Sequence, residues 1–301
     1  MFLSPLIIKM QENRSLKLYL ESINRNKILF PFFSLIVLIA VSALVSPFFL
    51  TLINIKHLLS QVAIIAVLAA GETFVILTGG IDLSPGSLLA LGGAITAALI
   101  KWAGVPPIVG IIGGLSAGIA AGAVNGLLVA RVRIPSFIAT LAMLAVGRGV
   151  TLVITNGRPI TRFPHEIQTI ASYVGPIPVL IIIVLVIYFL AQLLLSYTKL
   201  GRYIFAVGGN EQAVRFLGVN VNQIKLFVFI FAGFCAALGG IMMDARLDSA
   251  TPTAGQGYEL DAIAASVLGG VSLTGGVGSL AGTFMGALIM TILGNLSLIH
   301  I

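Results

Sequence analysis

Long apolar blocks run along this chain, broken by short clusters of glycine, proline and charge. Residues 1–28 are polar and basic, and the first apolar block runs from Leu29 to Leu50. That block is too long for the core of a cleaved signal and lacks a small-residue cleavage site, so it predicts a retained first span. Further blocks lie at 58–78, 86–100, 106–130, 135–155, 175–197, 224–243, 260–275 and 278–296. Each is near the length of about 20 apolar residues that a bilayer crossing takes. The pattern predicts an all-α, polytopic membrane protein with a membrane domain over 29–296.

Composition agrees. Hydrophobic residues make up 58% of the chain and charged residues 9%, against about 45–50% and about 25% in soluble domains. The mean hydropathy is +1.11. Lipid must be the solvent for most of this surface, and no polar stretch is long enough for a separate soluble domain. The single cysteine, Cys235, sits in an apolar block and excludes an intrachain disulfide. His57, His165 and His300 are scattered without metal-ligand spacing. A net charge of +7 would suggest nucleic acid in a soluble protein. In a membrane protein it reads as basic cytoplasmic loops, and no nucleic-acid partner is expected.

Charge also orients the chain. With a cytoplasmic N-terminus and alternating spans, the inside holds Lys9, Arg14, Lys17, Arg25, Lys27, Arg131, Arg133, Lys199, Arg202, Arg215 and Lys225. The outside holds only Lys56, Lys101, Arg158, Arg162 and Arg246, with the acids Glu166, Asp244, Asp248, Glu259 and Asp261. This is the expected positive-inside bias. The turn Thr78-Gly79-Gly80-Ile81-Asp82-Leu83-Ser84-Pro85-Gly86 must keep that parity, as a true turn or as a dip returning to the same side.

Small residues carry helix packing in lipid because apolar side chains give helices no hydrophobic reason to associate there. Gly110, Gly114, Gly118, Gly122 and Gly126 recur every four residues. Gly278, Gly282, Gly286 and Gly294 repeat the spacing, with Met290 in the gap. A similar turn precedes each series, Gly79-Gly80-Ile81-Asp82-Leu83-Ser84 and Gly269-Gly270-Val271-Ser272-Leu273-Thr274. The pattern predicts an internal duplication, with a pathway at the repeat interface; the alternative is that glycine-rich membrane segments resemble one another by composition.

The largest internal polar segment is 198–225, on the cytoplasmic side. Asn210 is placed to cap a short helix with Glu211 in its first turn and Gly218 at its end. Such a helix would lie at the membrane surface, with Ala213, Phe216 and Leu217 free to pack on a cytoplasmic partner; an ordinary amphipathic connector is the alternative. No phosphate-cradling Gly-x-x-x-x-Gly-Lys-Ser/Thr loop occurs, so ATP energy would have to come from another chain.

Several ordered runs together resemble a known family. They are 73–84 (Thr73 to Ser84), Asn125 to Arg131 with Ile134 to Leu141, Gly201-Arg202 with Gly208-Gly209-Asn210, and Pro252 to Ala265 with Gly269-Gly270. The chain is similar to permease subunits of ribose-type bacterial ATP-binding-cassette sugar importers, over roughly 30–295. The resemblance implies an all-helical inner-membrane permease of about ten spans, of which about nine are present here. It implies pairing with a second permease copy or paralogue, a cytoplasmic ATPase that carries ATP and Mg, and a periplasmic sugar-binding protein. No cofactor is expected on this chain, and no catalysis.

Carried onto these residues, Gly208, Gly209, Asn210, Glu211, Ala213, Arg215, Phe216 and Gly218 become the coupling segment. Glu72, Asp82, Asn125, Phe137, Gln256, Tyr258 and Glu259 become candidates for the pathway or gate. The chain departs from the pattern at Glu72, where the family usually carries an uncharged residue. It also departs after Gly294-Asn295, where the family continues into another helix and 297–301 reads as a non-native tail.

Charges inside lipid are costly, so Glu72, Asp82, Asn125 and Arg148 need partners or a cavity. Asp82 reads as a cap or turn residue, Asn125 as a helix bridge or pathway group, and Arg148 as snorkelling or paired with an acid. The segment 244–261 reads as an outer gate, a binding-protein dock or a plain loop. An ion-coupled secondary transporter using Glu72 or Asp82 is the competing reading. An intramembrane enzyme would need a constellation of catalytic groups that the sequence lacks.

Overall fold

The computed structural model describes residues 29–299. The segment 1–28 and the terminal His300 and Ile301 lie outside the described residues. The described chain is a helical bundle with four two-residue strands. Its helices are α1 (Leu29–Val45), α2 (Leu52–Leu77), α3 (Pro85–Lys101), α4 (Pro107–Leu127), α5 (Ser136–Thr155), α6 (His165–Gln168), α7 (Val179–Tyr197), α8 (Lys199–Gly209), α9 (Glu211–Phe216), α10 (Val221–Leu247), α11 (Tyr258–Leu268) and α12 (Leu280–Ile299). Among the described residues six of these helices are long and apolar enough to cross a membrane, α4 being extended to Val132 by a π-helical turn. α1 and α3 are apolar but have 17 residues each.

Proline sets many of the starts. It leads α3 and α4, precedes α5 and α7, and lacks the N–H that a first turn would leave unbonded anyway. The π turn stops at Arg133, whose φ is +64°, and the chain reaches α5 through Ile134-Pro135.

α2 is the axis of the bundle. It is apolar all round and enclosed by α7, α10, α11 and α12, and from Val62 to Leu77 every residue is buried. α10 packs against α2, α3 and α4, and α1 lies outside against α12. Specificity comes from hydroxyls. Thr73 of α2 meets Thr283 of α12 at 2.8 Å and Ser266 of α11 at 3.2 Å, and Tyr188 of α7 donates to the Ala66 carbonyl at 2.9 Å. A satisfied hydroxyl between helices is the glue that apolar side chains cannot provide in lipid.

The glycine series on α4 forms one buried face. A Cβ on Gly118 would overlap the Gly233 carbonyl, and one on Gly122 would overlap that of Phe229, so α4 and α10 touch backbone to backbone. The second series differs. Gly278 precedes α12, Gly282 and Gly286 press on Gly269 and Ala265 of the α11 end, and Gly294 meets nothing.

One expected span is corrected. The block 260–275 is a half-length helix, α11, of 11 residues, about 16 Å at 1.5 Å per residue. Gly257 (φ +87°) opens it, and a turn through Gly269 and Gly270 (φ +89°) closes it. The apolar run continues past the helix, so hydropathy alone could not find the break. Non-helical backbone is tolerated at such depth because surrounding helices enclose it. The acids expected in the outer loops are also relocated. Asp244 is buried within α10, and Glu259 and Asp261 occupy the first turn of α11.

Candidate functional site

The bundle has a basic end, which carries Arg131, Arg133 and the 198–225 segment, and an opposite end. At the basic end Thr198 accepts from the Gly201 N–H at 3.1 Å and starts α8, whose buried Ile204 and Val207 anchor it to the core. Asn210 leaves helical geometry (φ −160°), and its Oδ1 accepts from the Ala213 N–H at 2.9 Å. α9 follows and ends before Gly218, whose φ is +79°. The short helix therefore forms where its capping residues predict.

Val214 pins α9 inward, while Phe216 and Leu217 are 90% and 81% exposed. Glu211 holds the helix by two ion pairs, to Arg215 at 2.8 Å and Lys225 of α10 at 2.6 Å. Partial burial alone would raise the Glu211 carboxyl, but the hydrogen bonds from Lys225 and Arg215 outweigh it and hold the pKa below the ordinary range. Beside α9 opens a cavity of about 750 Å³ lined by Thr78, Gly80, Arg133, Ser136, Arg215 and Lys225, among others.

Above the basic end the break between α2 and α3 holds a buried polar chain. Glu72 Oε1 accepts from the Asp82 N–H at 3.2 Å. Asp82 Oδ1 accepts from the Ser84 N–H at 2.8 Å and the Ser84 hydroxyl at 2.6 Å, which is a turn-making role. Asn125 of α4 donates from Nδ2 to Ser84 Oγ at 3.0 Å and so bridges the helices. From α5, Ser136 Oγ accepts from the Ile81 N–H at 3.0 Å and Thr140 Oγ1 from the Leu83 N–H at 3.0 Å. The amides from Ile81 to Ser84 are thus spoken for by four side chains, from α2, α5 and the turn itself, which is why an irregular backbone survives here.

Further toward the opposite end, the segment between α10 and α11 dips back into the bundle. β4 (Ser249–Ala250) pairs with β1 (Ile160–Thr161), and from there the chain descends to Gly86 at the start of α3. Arg148 of α5 holds this dip. Its Nη1 donates to the carbonyls of Pro252 at 2.7 Å and Ala254 at 2.9 Å, and Nη2 reaches the Gly86 carbonyl at 3.5 Å. Arg148 neither snorkels nor forms an ion pair with an acid among the described residues; backbone carbonyls are its partners. Glu259 packs its carboxylate on Gly86, where any Cβ would overlap it, and Oε1 accepts from the Gly257 N–H at 3.3 Å.

Glu72, Asp82 and Asn125 are thus brought into one network, and Glu259 lies at its upper edge beside Gly86. Phe137 is half exposed on α5, Gln256 is exposed, and Tyr258 is partly buried at the α11 start. Ser84, Ser136, Thr140 and the Thr73–Ser266–Thr283 trio were not foreseen. Their only signal in the sequence is a hydroxyl within an apolar helix or beside a glycine turn.

Residues 54–301 match the family described as branched-chain amino acid transport system / permease component. The ribose import permease protein RbsC of Escherichia coli (strain K12) is 48% identical over 267 residues, covering 87% of this chain and 83% of that protein. RbsC of Bacillus subtilis (strain 168) is 45% identical over 269 residues, covering 88% and 83%. The D-allose transport system permease protein AlsC of E. coli K12 is 40% identical over 267 residues, covering 88% and 82%. No solved structure gives a significant match.

Proposed function

The chain belongs to this permease family, in the branch of sugar-importing ATP-binding-cassette systems, and from that premise we propose that its cargo is ribose. The observation that carries the choice is the level of identity, 45–48% to ribose permeases of E. coli, Haemophilus influenzae and B. subtilis against 40% to the allose permease. The membrane is the bacterial inner membrane, with the basic end cytoplasmic, as the positive-inside bias requires. In this orientation α1 runs outward, α2 returns inward, and α11 is a half-crossing that starts from the outer dip.

The permease works as a pair with a second copy, takes sugar from a periplasmic binding protein and draws energy from a cytoplasmic ATPase. A neutral sugar needs no ring of charge along its path, which agrees with the sparse intramembrane charge. The exposed Phe216 and Leu217 on a capped, ion-paired helix form the docking face for the ATPase. Glu72, Asp82 and Asn125 serve as the lock of the α2–α3 break. Arg148 and the 251–257 dip act as the outer gate. The two glycine turns lie side by side at the basic end, which favours a duplicated plan built of α2–α3 and α11–α12.

The test is ATP hydrolysis in proteoliposomes holding this chain, its ATPase and its binding protein. Ribose stimulates hydrolysis and uptake more than allose or xylose do. If the intact complex ignores all three sugars while the isolated chain moves solute down a proton or sodium gradient, the importer reading is wrong.

A further inference from the structure

Three stretches of backbone converge at the basic end, and none of the three has a side chain between it and the others. The first is the end of α2, Leu77 to Gly79. The second is the end of α8, Gly208 and Gly209, immediately before α9. The third is the turn after α11, Thr274 to Gly276. The Gly276 N–H donates to the Leu77 carbonyl at 2.9 Å. A Cβ on Gly208 would overlap both the Leu77 carbonyl and the Gly276 nitrogen. On Gly275 (φ +85°) it would stand 2.8 Å from the Gly79 nitrogen and 2.9 Å from the Gly208 Cα. On Gly276 (φ +72°) it would stand 2.8 Å from the Gly209 nitrogen.

Side-chain contacts absorb small displacements by changing rotamer, and close-packed backbone cannot. The position of this junction links distant parts. Gly209 adjoins Asn210, the cap of α9. Leu77 to Gly79 leads into the Asp82–Ser84–Asn125 lock, and Thr274 to Gly276 sits between α11, which follows the outer dip, and α12. We propose that this glycine junction is the transmission element of the transporter, with Gly208 as the positioning residue that passes movement of α9 to both glycine turns at once. The proposal rests on the importer reading above. A single push at α8 would then shift the α2–α3 break and the α11 half-helix together, in place of two separate signals.

The test compares Gly208→Ala with wild type in the complete complex, using ribose uptake and ribose-stimulated ATP hydrolysis as paired readouts. Gly294→Ala, on α12 where a Cβ meets nothing, is the control and keeps both activities. In Gly208→Ala the ATPase still hydrolyses ATP, but uptake per ATP falls about tenfold or more, the size of an ordinary coupling free energy between sites. Uptake per ATP equal to wild type overturns the junction and leaves the importer reading intact. Failure of the wild-type complex to respond to sugar removes the importer reading, and the junction with it.

If Gly208→Ala does not assemble, hydrogen exchange on the wild-type complex decides. The Gly276 amide stays protected in both the nucleotide-free and ATP-trapped states if the junction moves as one body. Rapid exchange there in either state shows that the junction opens, and the proposal fails.

Discussion

Glu72 is a carboxyl in the most enclosed helix of the bundle, and what it does there is accept one backbone hydrogen bond from Asp82. An amide oxygen can accept the same bond. Glu72→Gln is therefore expected to retain ribose uptake, whereas Glu72→Ala leaves the Asp82 N–H unpaired in the core at a cost of about 1–3 kcal/mol. Thermal unfolding of the purified variants, read beside uptake, checks this pair. If Glu72→Gln alone abolishes uptake with its stability unchanged, the carboxyl itself is required and the ion-coupled alternative regains ground. The role of Asp82 as a turn residue was legible from the glycine turn around it. Its link to Glu72, ten positions earlier, was not, because only a chain that folds back beside α2 brings the two together.

α9 is the element whose local chemistry is most complete in the sequence. Asn210, Glu211 and Gly218 specify its start, charge and end through contacts within a few residues, and Glu211 adds an ion pair, more distant in sequence, to Lys225 of α10. Asn210→Ala should destabilise α9 by about 0.5–2 kcal/mol, the usual value of an N-cap, and weaken ATPase binding in proportion. Phe216→Ala makes a sharper separation of roles. Its side chain is 90% exposed, so the melting temperature of the permease should not move. Affinity for the ATPase should fall by about 2 kcal/mol or more if Phe216 is an interface anchor. Thermal unfolding of the detergent-purified permease reads the first, and its titration with the ATPase reads the second. α11 shows the opposite case. The apolar block it belongs to runs on past its end, and its half length is imposed by Gly257 at one end, Gly269 and Gly270 at the other, and the neighbours that enclose it.

Across the molecule, Arg148 joins three parts that the sequence keeps far apart, namely α5, the start of α3 and the dip before α11. Removing its guanidinium strips donors from the Pro252 and Ala254 carbonyls together. Arg148→Ala is expected to abolish ribose-dependent uptake while the complex still assembles and hydrolyses ATP without sugar control. Arg148→Lys should recover part of the uptake, since an ammonium can serve one carbonyl at a time but lacks the fork that spans two. Normal uptake in Arg148→Ala would remove the dip from the gate.

Hydropathy and the distribution of lysine and arginine were enough to establish a polytopic helical protein, the ordered runs between Thr73 and Gly270 pointed to its family by resemblance, and Asn210, Glu211 and Gly218 marked the short capped helix at its basic end. Each of those properties depends on residues close together in the chain, or on the requirement that lipid meet apolar surface. The half-helix, the carbonyl clamp of Arg148, the lock from Glu72 to Asn125 and the meeting of Leu77, Gly208 and Gly276 came only with the tertiary structure. In lipid every helix is apolar whichever way it faces, so the hydrophobic pattern carries little information about which faces meet. Backbone proximity and hydrogen bonds between distant segments decide that, and they exist only once the chain has packed.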